Sequence, residues 1–414
     1  MSKQKFVKKD ANGNSTDNPS NYVRIGADYY RIIEKVDRFG IPRIELKIWK
    51  KDEIRTDFGR TVFDTLMKYP DSVIVPDNLN YQPIIHGCYN MYRPFAHTPR
   101  EGEFPWSQTL MEHVFGEQVE LGYRYMNMLY RNPMHLGPIL ALVSSDRQTG
   151  KTTFVNWLNM IFGGNMTIIS PEDLKNTFNI AYAESNIIAI EETLFDNKLT
   201  VDKLKALSTG KFVSVNKKFV NQFKTNFYGK IIITSNNEDK FASIDDNEIR
   251  FFVRKLGTPI NANHNVENDL LKEIPAFLHH LLSLPPVDFG VDRTGFTPIE
   301  LNNEFLEKVK RESKSWLYKS LHMLIEDLFL NEFKGENEFK ADIISIRDKF
   351  FPKDSRVDLS FIRNTLKNEF NLIPSEKSER FYPFVNGEQK SAKAYLFKRE
   401  NFTTTEVLDE KLPF

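Results

Sequence analysis

The feature that most constrains the fold is the loop SDRQTGKT at residues 145–152, which follows the apolar run ILALV and precedes the helical pattern FVNWLNMIF. Strand, loop and helix in that order are the setting of a Walker A motif, whose backbone N–H groups and helix N-terminus hold phosphates. Lys151 would neutralise the β- and γ-phosphates, and the Thr152 hydroxyl would ligate Mg²⁺. The sequence therefore predicts an ATP site, formed by Ser145, Gln148, Thr149, Gly150, Lys151, Thr152 and Thr153.

The match to the Walker A pattern is imperfect, because Ser145 stands where the pattern has its first glycine. Serine can form a tight turn but is less free than glycine to adopt a positive φ. The alternative interpretation of the segment is a surface turn that carries an ordinary lysine.

Two later apolar runs, NIIAI and KIIIT, also end in polar residues. Unbroken apolar runs that alternate with helical segments favour an α/β fold with a sheet buried on both faces. Glu191 and Glu192 follow the first run, where one carboxylate would hold Mg²⁺ and the other would orient the attacking water. Asn236 follows the second run and would lie near the γ-phosphate. A solvated acidic strand end and an ordinary turn are the alternatives.

The segment EIRFFVR carries Arg250 and Arg254 a short distance further along the chain. Either arginine could reach the nucleotide of a neighbouring subunit as an arginine finger. A strand with outward-facing arginines is the alternative.

Taken in order, SxxxxGKT, IIAIEE, IIITSNN and EIRFFVR resemble the motifs of superfamily-three DNA helicases, and more closely the helicase part of primase–helicase proteins of crAss-like phages. The resemblance is specific over about residues 80–260. It implies an AAA+-like P-loop ATPase core that forms a ring, usually hexameric, on single-stranded DNA, with nucleotide bound between subunits. It also implies residue roles: Lys151 and Thr152 in Walker A, Glu191 and Glu192 in Walker B, Asn236 as the sensor and Arg250 as the trans-acting arginine. Besides Ser145, Glu191 departs from the family, which commonly has Asp there.

Residues 211–230 hold five lysines and no acidic residue. Lysines interleaved with phenylalanines are typical of a surface that contacts nucleic acid. The pattern predicts a β-hairpin with Lys217 and Lys218 near its tip, and the resemblance implies that such a hairpin grips DNA in the ring channel. A solvated hairpin is the alternative, and we expect most of its phenylalanines to be core residues.

Changes in composition and hydrophobic pattern along the chain predict an α/β protein with an N-terminal α+β region and a C-terminal winged-helix-like domain. In the latter, DLSFIRNTLKNEF would be the recognition helix, with Arg363 and Lys367, and would bind DNA or protein. The predicted regions are a disordered leader (1–21), the α+β region (22–105), a helical subdomain (106–136), the P-loop ATPase domain (137–258), a helical linker or lid (259–312), the winged-helix-like domain (313–400) and a flexible tail (401–414).

Composition limits the other classes of function. Lys and Arg together number 56, as do Asp and Glu, so any surface for nucleic acid must be a local patch. Cys88 is the single cysteine, which excludes a disulfide framework within the chain and a cysteine-rich zinc site. The sequence shows neither a signal peptide nor an apolar run that could span a membrane. We expect a cytoplasmic protein, in the host cell if viral.

The sequence thus predicts an ATP-dependent DNA helicase of phage-type replication, with ATP and Mg²⁺ as cofactors. Its expected partners are single-stranded DNA, further copies of itself in a hexameric ring, and a primase or other replisome proteins. One alternative is a DNA-binding replication initiator in which ATP acts as an assembly switch without efficient unwinding. A second is an ATPase that remodels protein complexes.

Overall fold

The structure is a computed structural model that describes residues 18–175, 180–191, 198–215, 223–238, 241, 244, 248–259, 265–290, 294–352, 354, 356–385 and 387–403. The chain divides into two compact units, residues 1–309 and 310–414. Within the predicted leader only residues 18–21 are described, and within the tail only residues 401–403.

The first unit begins with two small sheets. The first three strands pair antiparallel in the region predicted to be α+β. A small apolar cluster that includes Tyr22 and Ile54 packs beneath them. The elements are β1 (Tyr22–Ile25), β2 (Asp28–Val36), β3 (Pro42–Ile48), α1 (Lys51–Phe58), α2 (Val62–Thr65), β4 (Met67–Tyr69), β5 (Ser72–Val73), β6 (Ile84–Ile85) and β7 (Cys88–Asn90).

Two helices follow, α3 (Pro105–Phe115) and α4 (Val119–Arg131). The region predicted to be a helical subdomain (106–136) therefore contains a break between its two helices. Gly116 adopts a φ of +49° at the break, a conformation that an α-helix cannot continue and that glycine tolerates best.

The centre of the unit is a five-stranded parallel sheet, which confirms the predicted α/β class. The strand order is β14-β8-β13-β10-β9. The elements of this region are β8 (Ile139–Val143), α5 (Lys151–Phe162), β9 (Met166–Ile169), α6 (Pro171–Lys175), α7 (Ile180–Ala183), β10 (Ile187–Ile190), α8 (Lys198–Thr209), β11 (Phe212–Val215), β12 (Phe223–Asn226), β13 (Lys230–Ser235) and β14 (Phe251–Lys255).

Both faces of the parallel sheet are buried, which is why its strands read as continuous apolar runs. Alternate residues of β8 contribute to different cores: Leu140 faces the cluster formed with α3, α4 and α5, whereas Ala141 faces the cluster that includes residues of α8. The first cluster also takes in α9 (Val266–Ser283). Two further helices complete this part of the chain, α10 (Pro298–Leu301) and α11 (Glu304–Glu312).

The second unit has its own core, in which the rings of Phe333, Phe339 and Phe397 stack. Within the region predicted to be winged-helix-like, a strand lies between the first two helices and pairs with the last strand. The elements are α12 (Trp316–Asp327), β15 (Glu338–Ala341), α13 (Ile343–Phe350), α14 (Leu359–Asn368), β16 (Glu379–Phe381), β17 (Lys390–Ala392) and β18 (Tyr395–Lys398).

Among the residues that the structure describes, no helix is both long enough and apolar enough to cross a lipid bilayer.

Candidate nucleotide site

The SDRQTGKT loop (residues 145–152) connects the carboxyl end of β8 to α5. Gly150 has a φ of +86° and is the residue from which α5 begins, so a glycine suits the position. Gln148 also adopts a positive φ, +58°, which is uncommon for a residue with a side chain. The backbone of the loop is thus held in a tight, partly strained turn, a feature concentrated at ligand clamps.

Lys151 is the first residue of α5 and is only 9% exposed. Its ammonium donates to three oxygens in the loop or just before it: Ser144 O at 3.1 Å, Asp146 O at 3.3 Å and Thr149 Oγ1 at 3.1 Å. Burial lowers the pKa of Lys151, against the opposite effect of the carboxylates of Asp146 and Glu238. The side chain is therefore a partly desolvated cation fixed at the centre of the loop.

The N-terminus of α5 begins at the SDRQTGKT loop, where Lys151 lies. The first backbone N–H groups of a helix have no partner within it, and together with the helix dipole they favour an anion. The first turn of α5 contains no acidic residue, so its side chains add no negative charge there. Thr152 and Thr153 lie in this turn, and the Thr152 hydroxyl is of a type that ligates Mg²⁺ in phosphate sites.

A cavity of about 520 Å³ opens over the loop. Such a volume lies within the range of pockets that hold cofactors and small ligands. Every residue from Arg147 to Thr153 lines it, and so does Asn236, which follows β13. The cavity thus brings together six of the predicted nucleotide-binding residues and the predicted sensor. Arg147 was not among the predicted residues. Its position as a second cation in the loop, close to Lys151, is the signal in the sequence that could have identified it.

The lining also includes four apolar residues, Trp106, Leu110, Pro259 and Val266, which we call the apolar wall. These residues come from α3, from the segment after β14 and from the start of α9. The sequence patterns did not reveal the wall, because its members are far apart in the chain and each reads as an ordinary core residue.

Polar contacts fix α3 against both α9 and the loop. Glu273 of α9 accepts hydrogen bonds from the backbone N–H groups of Trp106, at 3.1 Å, and Ser107, at 2.8 Å. Further along α3, His113 Nε2 lies 2.9 Å from the carbonyl oxygen of Thr149. Helix α3 is therefore held by hydrogen bonds to α9 near its start and to the SDRQTGKT loop near its end.

The predicted acidic residues follow β10, which is separated from β8 by the single strand β13. Glu191 is partly buried, and its backbone N–H donates to Ile169 O at 3.3 Å. Neighbouring strands are about 4.8 Å apart, so Glu191 emerges about 10 Å to the side of the loop strand at the same edge of the sheet. Glu192 lies outside the described residues.

The two predicted arginines lie elsewhere. Arg250 precedes β14, and its carbonyl oxygen accepts from Ile139 N at the amino end of the sheet. Its guanidinium is paired with Glu248 at 2.9 Å. Arg254 is 6% exposed and pairs with Glu117 at 2.8 Å, next to the break between α3 and α4.

The hairpin predicted between the second and third strands is present. β11 and β12 pair antiparallel, with Phe212 opposite Asn226. Lys217 and Lys218 lie outside the described residues. Phe227 is buried and Phe212 is 65% exposed. The expectation that most of the phenylalanines are core residues stays a prediction, because the burial of Phe219 and Phe223 is not described.

Comparisons with known proteins agree with this architecture. Residues 142–254, which run from β8 to β14, match a family of unknown function, DUF5906. The apo structure of the NrS-1 C-terminal region is similar at a TM-score of 0.63 and 15% identity, over 87% of this chain and 95% of that one. The A-form apo structure of that region gives a TM-score of 0.56 at 17% identity, over 83% and 84%. At these identities the similarity establishes the fold. No curated protein matches the sequence.

Proposed function

We propose that this chain is an ATP-dependent DNA helicase of phage-type replication, with an AAA+-like P-loop core that assembles into a ring. The single observation that carries the proposal is the cavity in which the SDRQTGKT loop, Asn236 and the apolar wall converge. The cationic, N–H-rich loop suits a triphosphate, and the apolar lining residues suit a nucleobase.

The loop residues supply the phosphate chemistry in this proposal. Backbone N–H groups of Gln148, Thr149 and Gly150 and the start of α5 hold the phosphates, and Lys151 compensates their charge. The hydroxyl of Thr152 and the carboxylate of Glu191 are hard oxygen ligands of the kind that Mg²⁺ prefers. The ion would supply charge compensation on the phosphate oxygens. Asn236, which lines the cavity, is assigned to the γ-phosphate, and Glu192 is assigned to the attacking water.

The position of Arg250 supports a role in a neighbouring subunit. Strands rise about 3.3 Å per residue and Phe251 pairs with Ile139, so Arg250 starts about 23 Å from Ser145 along the strand direction. An arginine side chain bridges only a fraction of that distance. If Arg250 acts on nucleotide, it acts on the site of another copy, and nucleotide then binds between subunits of a ring.

Contacts to single-stranded DNA are assigned to Lys217 and Lys218 between the two hairpin strands. Charge at the tip of a short hairpin is suited to the phosphate backbone, because such contacts need no sequence readout. The second unit is proposed to be winged-helix-like, and it exposes Arg363 and Lys367 on α14. A primase or another replisome protein is the further partner that we propose.

Strand displacement tests the proposal. We expect the full chain with ATP and Mg²⁺ to release a labelled strand from a forked DNA duplex, and the variant Lys217→Ala/Lys218→Ala to hydrolyse ATP at the basal rate without releasing it. ATP binding and DNA binding without displacement would instead favour the replication initiator, in which ATP acts as an assembly switch. ATP hydrolysis indifferent to DNA, with both lysines dispensable, would favour an ATPase that remodels protein complexes.

A further inference from the structure

Ser145 makes contacts that glycine could only partly make. Its backbone N–H and its hydroxyl both donate to Glu238 Oε1, at 2.9 and 3.0 Å. The other carboxylate oxygen, Glu238 Oε2, accepts from Lys255 Nζ at 2.7 Å. The Glu238 side chain is 11% exposed, so these contacts satisfy a largely buried group. One carboxylate therefore joins the start of the SDRQTGKT loop to the end of β14.

The bridge spans three neighbouring strands of the sheet. Ser145 follows β8, Glu238 follows β13, and Lys255 is the last residue of β14. Because β13 and β14 flank β8 and all three run parallel, their carboxyl ends meet at one edge. Asn236, which lines the cavity, lies two residues before Glu238. The bridge therefore links the loop to the turn that carries Asn236.

A carboxylate at this place has an electrostatic cost if the cavity takes a triphosphate, because like charges repel strongly in a partly desolvated site. Although burial by itself would raise the pKa of Glu238, hydrogen bonds from Lys255 and Ser145 lower it to about 2. The carboxylate is therefore charged at neutral pH, and Lys255 compensates that charge.

We propose that Glu238 is a positioning residue that anchors the SDRQTGKT loop through Ser145, and that Lys255 neutralises it so that a nucleoside triphosphate can bind beside it. The proposal rests on the proposed function and extends it. It also explains the serine at the first loop position, since the Ser145 hydroxyl donates the second hydrogen bond to Glu238.

Equilibrium binding of a fluorescent ATP analogue with Mg²⁺ to the full chain tests this inference. Glu238→Ala removes the anchor and should weaken binding about tenfold, the equivalent of about one charge-assisted hydrogen bond. Glu238→Gln keeps an oxygen that accepts from Ser145, and binding should stay within about threefold of wild type. Lys255→Met leaves a bare carboxylate and should weaken binding about fivefold. The double variant Glu238→Gln/Lys255→Met should recover the affinity of Glu238→Gln.

The recovery in the double variant separates the proposed roles from general loss of structure. Lys35→Met and Glu45→Gln, which break an exposed ion pair of β2 and β3 outside the cavity lining, are matched controls and should leave binding unchanged. Thermal melts report the folding of each variant. If Glu238→Ala does not fold, Glu238→Gln and Lys255→Met still test the inference, because they keep the size of the side chain.

Two results would overturn the inference alone. One is wild-type or tighter binding by a folded Glu238→Ala, which would mean that the carboxylate only repels nucleotide. The other is a Lys255→Met defect that Glu238→Gln leaves uncorrected, because Lys255 would then act on the nucleotide directly. A wild-type chain that binds no ATP, or a Lys151→Met variant that binds like wild type, would overturn the proposed function itself.

Discussion

Replacing Lys151 with Met removes the central charge of the SDRQTGKT loop and keeps the length and apolar stem of the side chain. An ammonium about 4 Å from a phosphate oxygen gains about 4 kcal/mol at the effective dielectric constant near a protein surface. Desolvation of the ammonium and the charge of Mg²⁺ offset part of this gain. About 2.7 kcal/mol should remain, so the variant should bind ATP about 100-fold more weakly.

The same substitution should leave the fold intact. The variant loses three hydrogen bonds to loop oxygens, each worth about 1 kcal/mol. It also loses two unfavourable terms, the burial that lowers the pKa of Lys151 and the placement of a cation at a helix N-terminus. These contributions oppose each other, and we expect the melting temperature to change by no more than about 4 °C.

The assay is titration of a fluorescent ATP analogue, with a thermal melt on each sample. Lys51→Met is the matched control, because Lys51 is likewise the first residue of a helix but lies on α1, outside the cavity lining. The control should bind as wild type does. Binding by folded Lys151→Met within about threefold of wild type would refute the assignment of the loop to phosphate.

Three further predictions follow from the geometry. Trp106→Ala should weaken ATP binding about tenfold by removing a stacking surface, yet leave competition by inorganic tripolyphosphate unchanged. Trp316→Ala, at the start of α12, is the control, and equal losses of affinity for both ligands would contradict a nucleobase site. Arg250→Ala should abolish hydrolysis alone but regain part of it when mixed with Lys151→Met subunits, since each variant supplies what the other lacks; no recovery at any mixing ratio would argue against a site between subunits. The pKa of Glu238 is about 2, below its unfolded value of 4.5, so its stabilising effect is present above about pH 4.5 and fades as pH falls toward 2. Melting curves of wild type and Glu238→Gln should therefore differ most near neutral pH and converge near pH 2. A constant offset between the curves would contradict the ion pair.

The sequence predicted an α/β fold with a buried sheet, because side chains on both faces of that sheet must be apolar. Residues such as Leu140 and Ala141 face different cores, yet both must be apolar, so β8 reads as an unbroken run. The loop was equally readable, since a positive φ at Gly150 and a cation at Lys151 follow from a local pattern. These features depend on neighbours in the chain.

What the sequence did not reveal depends on neighbours in space. The apolar wall joins Trp106 to Val266, which packing of α3 against α9 brings to one cavity. The pairing of Glu238 with Lys255 requires the parallel register of β13 and β14 on either side of β8. The local sequence pattern predicts neither contact, because each residue is of an ordinary type for its own segment.

The measurement that tests the central claim most directly is the rate of ATP hydrolysis with and without single-stranded DNA. For the full chain with Mg²⁺, we predict turnover that DNA raises several-fold and that Lys151→Met lacks at every DNA concentration. The same turnover by Lys151→Met would contradict the nucleotide site. A wild-type rate that does not respond to DNA would contradict coupling of hydrolysis to movement along DNA.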